Sequence, residues 1–523
     1  MREEIFQAME CSDFYPHSAE KILRKETHIS VVFLTGEYVY KVKKPFDFGF
    51  LDFATLEKRR VCCLQEVTLN RRLAEDVYLG VVRITREKEG FCLDGSGPVV
   101  EYAVKMRQLD EAFFMSSMLR RSAVGKAEVA ALALCLSRFY DGAEVGNGID
   151  GMGRWPTVRD NCQENFLQTE EFAGRFFDRT YFRIVREATF GFLRRRKGVF
   201  DRRVARGRIR DCHGDLRREH VYFEGQGPGG IRIIDCIEFN ARYRYSDIAA
   251  DLAFLAMDLE FAGFSGVANA LLGEYVRHSG DAEVLVLMDF YKCYRALVRV
   301  KVNCLQLAEG LSGGGRQRLF SETGRFLSLA FRYALKFSRP ILWVVCGMIA
   351  TGKSTIAARL GESLGLSVLR SDVVRKKLFG MKSGDKARAL FGTGIYSRGA
   401  TALTYGRLFR GAAEEIAAGR SVILDATFGT PRHRREAMRL AEITGAKPMF
   451  VACVAPVAVI RKRLAAREGG HNISDARLCH LEGHIKLFTA PGELEKAVCI
   501  RIDTEQRPEE NLYRILFYDY VRQ

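Results

Sequence analysis

The chain has 523 residues, 47% of them hydrophobic and 28% charged, and Lys and Arg outnumber Asp and Glu to give a formal net charge of +17. Such a chain is too long for one ordinary domain and too apolar for a disordered one, so three or four globular structural units are expected. The positive balance points to anionic partners, among them nucleotides, phosphorylated metabolites, nucleic acid and acidic membrane surfaces, without choosing among these.

Met1-Arg2-Glu3-Glu4 lacks the basic-then-apolar layout of a signal peptide, and no apolar run approaches the ~18 residues that span a bilayer. A cytoplasmic protein with no membrane insertion is expected. The fourteen cysteines are scattered, with one adjacent pair, Cys62-Cys63, and no C-x-x-C, so reduced and mostly buried thiols are expected rather than a zinc or redox site.

His28–Leu34 is rich in β-branched residues, Thr35-Gly36-Glu37 supplies a turn and Tyr38–Val42 alternates again, which predicts a β-hairpin ended by Lys43-Lys44-Pro45. From Leu56 to Ala74 apolar residues recur at helical spacing, so a helix carrying Glu66 follows the strand carrying Lys41. Val99–Met106 predicts a strand, and helices are expected near Lys126–Tyr140 and Glu170–Arg196. The densest basic stretch, Arg194-Arg195-Arg196-Lys197 through Arg202, Arg203, Arg206, Arg208 and Arg210, reads as a solvated helix face rather than a binding surface.

His213-Gly214-Asp215-Leu216 precedes the short strand Val221-Tyr222-Phe223, a glycine-rich turn and the strand Ile231–Ile234, which ends in Asp235-Cys236-Ile237-Glu238-Phe239-Asn240. One aspartate therefore stands before the first strand and another at the end of the second. Phosphoryl transfer needs one carboxylate to orient the attacking hydroxyl and another to hold Mg²⁺ against the phosphates. These two segments, with Glu26–Ser30, Tyr40–Pro45 and Val104-Lys105-Met106, resemble the aminoglycoside-phosphotransferase-like branch of the protein-kinase-like fold. The resemblance covers most of residues 1–335 and implies an α+β fold, with an N-lobe over about 1–105 and a largely helical C-lobe over about 106–337. It implies Lys41 on the nucleotide phosphates, Glu66 as its partner, Asp215 as catalytic base and Asp235 as metal ligand. Lys43 shares the strand face of Lys41 and is the reserve lysine. Two positions depart from the family pattern: His220 replaces the metal-binding Asn, although imidazole suits Mg²⁺ poorly, and only Gly36 marks the hairpin turn where a glycine-rich loop is usual. Asp247 and Asp251 open a helix and read as structural. Gly310 and Gly313–Gly315 mark a loop in the helical pattern that continues to Phe337, and Ser338-Arg339-Pro340 is the expected boundary between domains 1–337 and 338–523.

In the second half the apolar run Ile341–Cys346 leads into Gly347-Met348-Ile349-Ala350-Thr351-Gly352-Lys353-Ser354-Thr355 and then a helix. This is the P-loop spelling in its required context: glycines let backbone N–H groups close around phosphates, Lys353 adds a cation and the Ser354 hydroxyl can ligand Mg²⁺. Gly347, Ala350, Thr351, Gly352, Lys353, Ser354 and Thr355 are thus the expected nucleotide contacts. Asp372 follows the strand Ser367–Leu369 and is a candidate base for an acceptor hydroxyl or, from spacing alone, a helix N-cap; Arg375, one turn on, is a candidate for an anionic substrate group. Ser421–Asp425 is an apolar strand ending on Asp425, the Walker-B arrangement for Mg²⁺. Helix Arg432–Thr444, strand Pro448–Val454 and a helix bearing Arg461, Arg463 and Arg467 come next, ending at the glycine break Glu468-Gly469-Gly470, which suits a mobile lid.

Residues 338–523, with these motifs and Ser474-Asp475-Ala476, resemble small-molecule P-loop kinases of the gluconate/shikimate, zeta-toxin-like and 5′-hydroxyl polynucleotide kinase groups. The resemblance implies an α/β parallel-sheet domain using ATP and Mg²⁺, with Asp372 as base and Arg463 or Arg467 as lid residues closing on the transferring phosphate. Both halves in this order look like bacterial proteins described as a fused aminoglycoside-phosphotransferase-like and ATP-binding protein. A net charge of +17 would repel polycationic aminoglycosides, so antibiotic modification is not expected. The expected function is ATP-dependent phosphoryl transfer to a small-molecule hydroxyl; a 5′-end kinase that binds nucleic acid and a regulatory ATP switch are the alternatives.

Overall fold

The computed structural model describes residues 2–27, 29–46, 51–225, 227–309, 313–382, 385, 392–467, 477–496 and 498–522. His28, Gly310, Glu468–Gly470 and Ser474–Ala476 lie outside these. The chain forms two compact units, one of Met1–Asp160 with Arg203–Gly280 and one of Asn161–Arg202 with Asp281–Gln523. The division expected at 338 falls inside the second unit, because the helices Arg179–Arg195, Val284–Ala308 and Gly313–Ser338 belong to the same body as the sheet that follows.

In the first unit β1 (Leu23–Glu26), β2 (Ser30–Leu34), β3 (Tyr38–Lys43), β4 (Tyr78–Glu87), β5 (Gly90–Leu93) and β6 (Val99–Arg107) form an antiparallel sheet in the order β1-β2-β3-β6-β4-β5. Strand alternation divides β3 between two environments. Tyr40 and Val42 join Phe6, Met9, Val31 and Phe33 in one core, while the opposite face, with Val39, Val104 and Tyr78, packs on Cys63, Val67 and Ala74 of the helix Leu56–Ala74. That helix starts where Thr55 Oγ1 accepts from Lys58 N at 3.2 Å. Lys41 and Lys43 share the helix-facing side, and Glu66 on the helix is buried against them. Two short antiparallel ribbons follow, β7 (Ile209–Asp211) with β10 (Tyr245–Asp247) and β8 (Val221–Phe223) with β9 (Ile231–Ile233).

The second unit contains a five-stranded parallel sheet of β11 (Ile341–Cys346), β12 (Ser367–Arg370), β13 (Val422–Asp425), β14 (Lys447–Val454) and β15 (Cys499–Asp503), in the order β12-β13-β11-β14-β15. Its central strands are continuous apolar runs because both faces are covered. Val344, Leu424 and Phe450 meet Leu408 and Ala412 of the helix Arg398–Ala417 and Ala437 of the helix Pro431–Thr444.

Three expectations change. The helix expected over 170–196 starts only at Arg179: the helix Trp155–Glu170 ends first, a turn buries Phe172, Phe176 and Phe177, and Asp178 caps the helix Arg179–Arg195 by accepting from Tyr181 N at 2.8 Å. Gly313–Gly315 open the helix Gly313–Ser338 instead of lying in a loop. The basic run is not merely a solvated face, because much of it is engaged within the protein. The fully buried Arg203 donates to both oxygens of Asp247 at 2.9 and 2.7 Å, Arg202 donates to Glu283 Oε1 at 2.9 Å, and Arg210 donates to Ala143 O at 2.8 Å.

Removing one member of a buried ion pair strands the other. Arg203→Met should therefore cost about 3–5 kcal/mol, read as an earlier first transition in urea unfolding followed by circular dichroism.

Candidate functional site

The first unit gathers its charges where β3, the helix Leu56–Ala74 and the ends of β7 and β9 meet. Lys41 Nζ lies 2.8 Å from Glu66 Oε1 and 2.7 Å from Asp235 Oδ1. Lys43 is completely enclosed, with Nζ 2.6 Å from Glu66 Oε2 and also paired to Glu238. The two lysines therefore differ in kind: Lys41 reaches the aspartate at the strand end, and Lys43 is an internal tie. Burial works against the charge on Lys41, but Asp235 and Glu66 outweigh it and hold the pKa above the ordinary lysine value. Burial likewise opposes ionisation of Asp235, yet the Lys41 ammonium keeps its carboxyl well below the usual range. Asp235 has φ +66°, a left-handed conformation uncommon for a residue with a side chain, and its N–H donates to Tyr78 Oη at 3.1 Å.

Asp215 is held from both sides. Asp251 accepts from the N–H groups of His213 and Gly214 at 3.1 and 2.8 Å and from Tyr140 Oη at 2.9 Å, so this aspartate, read as structural, fastens the loop. Asp247 is the helix N-cap, accepting from Ala249 N at 2.8 Å. His213 is buried, with Nε2 3.0 Å from Ile234 O and Nδ1 accepting from Asp215 N at 3.3 Å, which requires the neutral Nε2–H tautomer. On the open side Arg217 grips the Asp215 carboxylate, with Nη2 at 2.8 Å and Nε at 3.1 Å. His220 Nδ1 lies 2.8 Å from Asp215 O, a contact that makes Nδ1 the donor and leaves the Nε2 lone pair 3.6 Å from Asp235 Oδ2. Ligand atoms of Asp215, His220 and Asp235 all lie within 4.8 Å of one another. Two carboxylates and an imidazole fit a divalent cation of borderline softness better than Mg²⁺.

In the second unit the loop after β11 has the glycines its shape requires. Gly347 has φ +144° and a Cβ there would stand 2.4 Å from Cys453 O; Ala350 at φ +57° and Gly352 at φ +87° complete the turn into the helix Lys353–Leu364. Lys353 Nζ donates to Met348 O at 2.6 Å, and burial pulls its pKa down against the opposing pull of Asp425. The Ser354 side chain hydrogen-bonds Asp425, whose pKa is raised by burial although Lys353 and Ser354 oppose this. Serine hydroxyl and carboxylate together form an all-oxygen donor pair that fits Mg²⁺. Arg370 Nε approaches the same carboxylate at 3.3 Å.

Asp372 sits in the first turn of the helix Ser371–Leu378, where Arg370 rather than Asp372 is the N-cap, and its charge acts on Lys353, Arg375 and Asp425. Arg375 is buried over the Tyr396 ring, donates to Ile395 O at 2.7 Å, and leaves Nε without a hydrogen-bond partner. Arg463 braces the loop, donating to Thr504 O at 2.7 Å and to Ala350 O at 3.4 Å. Arg467 ends the helix Val457–Arg467, and its side chain is outside the described residues. Sequence reasoning assigned no role to Arg217, Glu238, Arg370 or His484. His484, on the helix Leu481–Leu487, is pushed down to about 4 by burial and the Lys353 charge. The signal for Arg217 and Arg370 was their closeness in sequence to Asp215 and Asp372; no such signal marks His484.

Residues 342–491 match the family described as AAA domain. Over 469 residues the chain is 33% identical to "Uncharacterized protein Rv2004c" of Mycobacterium tuberculosis, an alignment spanning 89% of this chain and 90% of the relative. The chain belongs to that protein's family. Among solved structures, a choline/ethanolamine kinase family protein from Mesorhizobium loti is 14% identical, covering 63% of this chain and 99% of its own, with a TM-score of 0.36. A gluconokinase from Sinorhizobium meliloti 1021 is 18% identical, covering 35% of this chain and 93% of its own, with a TM-score of 0.26.

Burial pushes the His213 pKa down to about 4. A histidine kept neutral in the folded state contributes stability above its unfolded pKa of about 6.5, and that contribution is lost as pH falls toward the folded value. Melting temperature should therefore fall between about pH 6.5 and pH 4, and His213→Gln, which keeps a donor and an acceptor, should flatten that part of the profile measured by scanning calorimetry.

Proposed function

We propose that this chain is a cytoplasmic ATP-dependent phosphotransferase that passes the γ-phosphoryl group to a hydroxyl of a small anionic molecule at the loop after β11. The observation that carries the reading is the meeting of Lys353, Ser354 and Asp425 at the carboxyl ends of a parallel sheet, behind a Gly-x-x-x-x-Gly-Lys-Ser turn. A nucleotide entering there draws Lys353 from the Met348 carbonyl onto its phosphates. Ser354 and Asp425 would hold Mg²⁺, which would supply charge neutralisation during the transfer. Asp372 takes the acceptor's hydroxyl proton as the hydroxyl oxygen bonds to the γ-phosphorus; the bond from that phosphorus to the β–γ bridging oxygen breaks, and ADP leaves. The unpartnered Nε of Arg375 favours an acceptor carrying a carboxylate or phosphate.

The first unit is read as a second nucleotide site of protein-kinase-like type, with Lys41 on the phosphates, Glu66 holding Lys41, Asp235 on the metal and Asp215 as base. Nucleotide must exchange the direct Lys41–Asp235 contact for phosphate and metal contacts, and the acceptor must loosen Arg217 from Asp215. The nucleic-acid reading gains nothing from the basic run, because several of its arginines are engaged within the protein.

Lys353→Ala should lower phosphoryl transfer by about 10²–10³-fold with the circular dichroism spectrum unchanged; unaltered turnover removes the assignment. Asp372→Asn should lower kcat by about 10²–10⁴-fold with little change in the KM for ATP. Calorimetry on Lys353→Ala protein should detect one remaining nucleotide site, tighter with Mn²⁺ than with Mg²⁺, that Lys41→Ala removes.

A further inference from the structure

The second unit has a partly open cavity of ≈ 120 Å³ lined by Ile341 and Trp343 of β11, by Ser367, by Ser421 and by Leu364. These residues begin the strands or end the helix Lys353–Leu364, so the cavity lies at the edge of the sheet opposite the phosphate-binding loop.

Five cations line it, of which Arg420 pairs with Glu415 and the other four are Arg195, Arg196, Lys336 and Arg339. None of these last four has a carboxylate ion-pair partner among the described residues. Arg195 donates to Phe337 O at 3.4 Å, Arg196 donates to Leu364 O, and Lys336 lies 5.9 Å from the Tyr333 ring centre. The carboxylates on the cavity wall are each matched by another cation: Asp289 with Lys292 at 2.8 Å, Glu415 with Arg420 at 2.5 Å and Asp519 with Lys447 at 2.8 Å. Burial and the neighbouring Arg195 guanidinium pull the Arg196 pKa down to about 10. Trp343, only 1% exposed, contributes a second unmet demand, since its indole Nε1–H is buried with no hydrogen-bond partner. A buried donor without an acceptor costs about 1–3 kcal/mol, and buried polar groups in folded proteins are nearly always satisfied. The wall therefore carries five cations against three carboxylates, and four of those cations have no ion-pair partner among the described residues.

We propose that this cavity binds a small oxyanion of phosphomonoester size, held by Arg196 and its neighbouring cations beside the Trp343 ring, at a site separate from the phosphate-binding loop. The volume has room for a phosphate group and a few carbons. Guanidinium groups suit the ligand because their forked N–H geometry matches two oxygens of one phosphate.

The chain has two tryptophans, Trp155 and Trp343, so Trp155→Phe leaves Trp343 as the sole indole reporter. Full-length Trp155→Phe protein is titrated with inorganic phosphate and with glycerol 3-phosphate, against sodium chloride at matched ionic strength. A saturable change in Trp343 emission is expected, persisting when Lys353→Ala is added and weakened about tenfold or more by Arg196→Gln. Because Arg196 is partly buried, the exposed Arg339→Gln serves as a second variant and should weaken binding in the same direction. The proposal is overturned by the absence of a saturable change, by an equal response to sodium chloride, or by a response abolished by Lys353→Ala and indifferent to both arginine variants.

Discussion

The C-terminal site depends on how closely the backbone at Gly347 approaches the Cys453 carbonyl. A side chain there would stand 2.4 Å from that oxygen, and φ at +144° is open only to glycine, so the strand pair β11–β14 and the turn into the next helix are possible together only with this residue. Everything at the site follows from that turn. Lys353 and Ser354 are delivered at the start of a helix, and Asp425 arrives from the neighbouring strand in register with Val345. Burial there lowers the lysine pKa and raises the aspartate pKa, so both groups are held in a state that a charged ligand relieves.

The first unit solves the same electrostatic problem differently. Two lysines and three carboxylates interleave, with Glu66 shared between Lys41 and Lys43, and Glu238 and Asp235 completing the ends. Desolvation is offset only because each charge faces its opposite. The array also separates roles: Lys43 with Glu238 is shut away, and Lys41 with Asp235 is the part a ligand can reach.

Much of this was readable in the chain. The strand Tyr38–Lys43, the helix Leu56–Ala74 and the strand–loop–helix around Gly347 announce themselves through period, capping and glycine placement, all local signals. Choosing Lys41 over Lys43 was beyond sequence, because alternation places both on one face and only the arrival of Asp235 and Glu238 from far along the chain distinguishes them. The basic run failed for the same reason: its partners Asp247 and Glu283 are 44 and 81 residues away. The break at 171–178 was missed because buried phenylalanines continue an apolar pattern that helical spacing alone does not interrupt.

The ion pair between Arg370 and Asp425 has a bearing on order of events. On the proposed reading, a divalent ion at that carboxylate would compete with a guanidinium already seated beside it, so metal uptake would be a counter-ion exchange rather than the filling of a bare anionic pit. Arg370 would then stand at the mouth of the sheet without its counter-charge, where the phosphates of a nucleotide would be the nearest replacement.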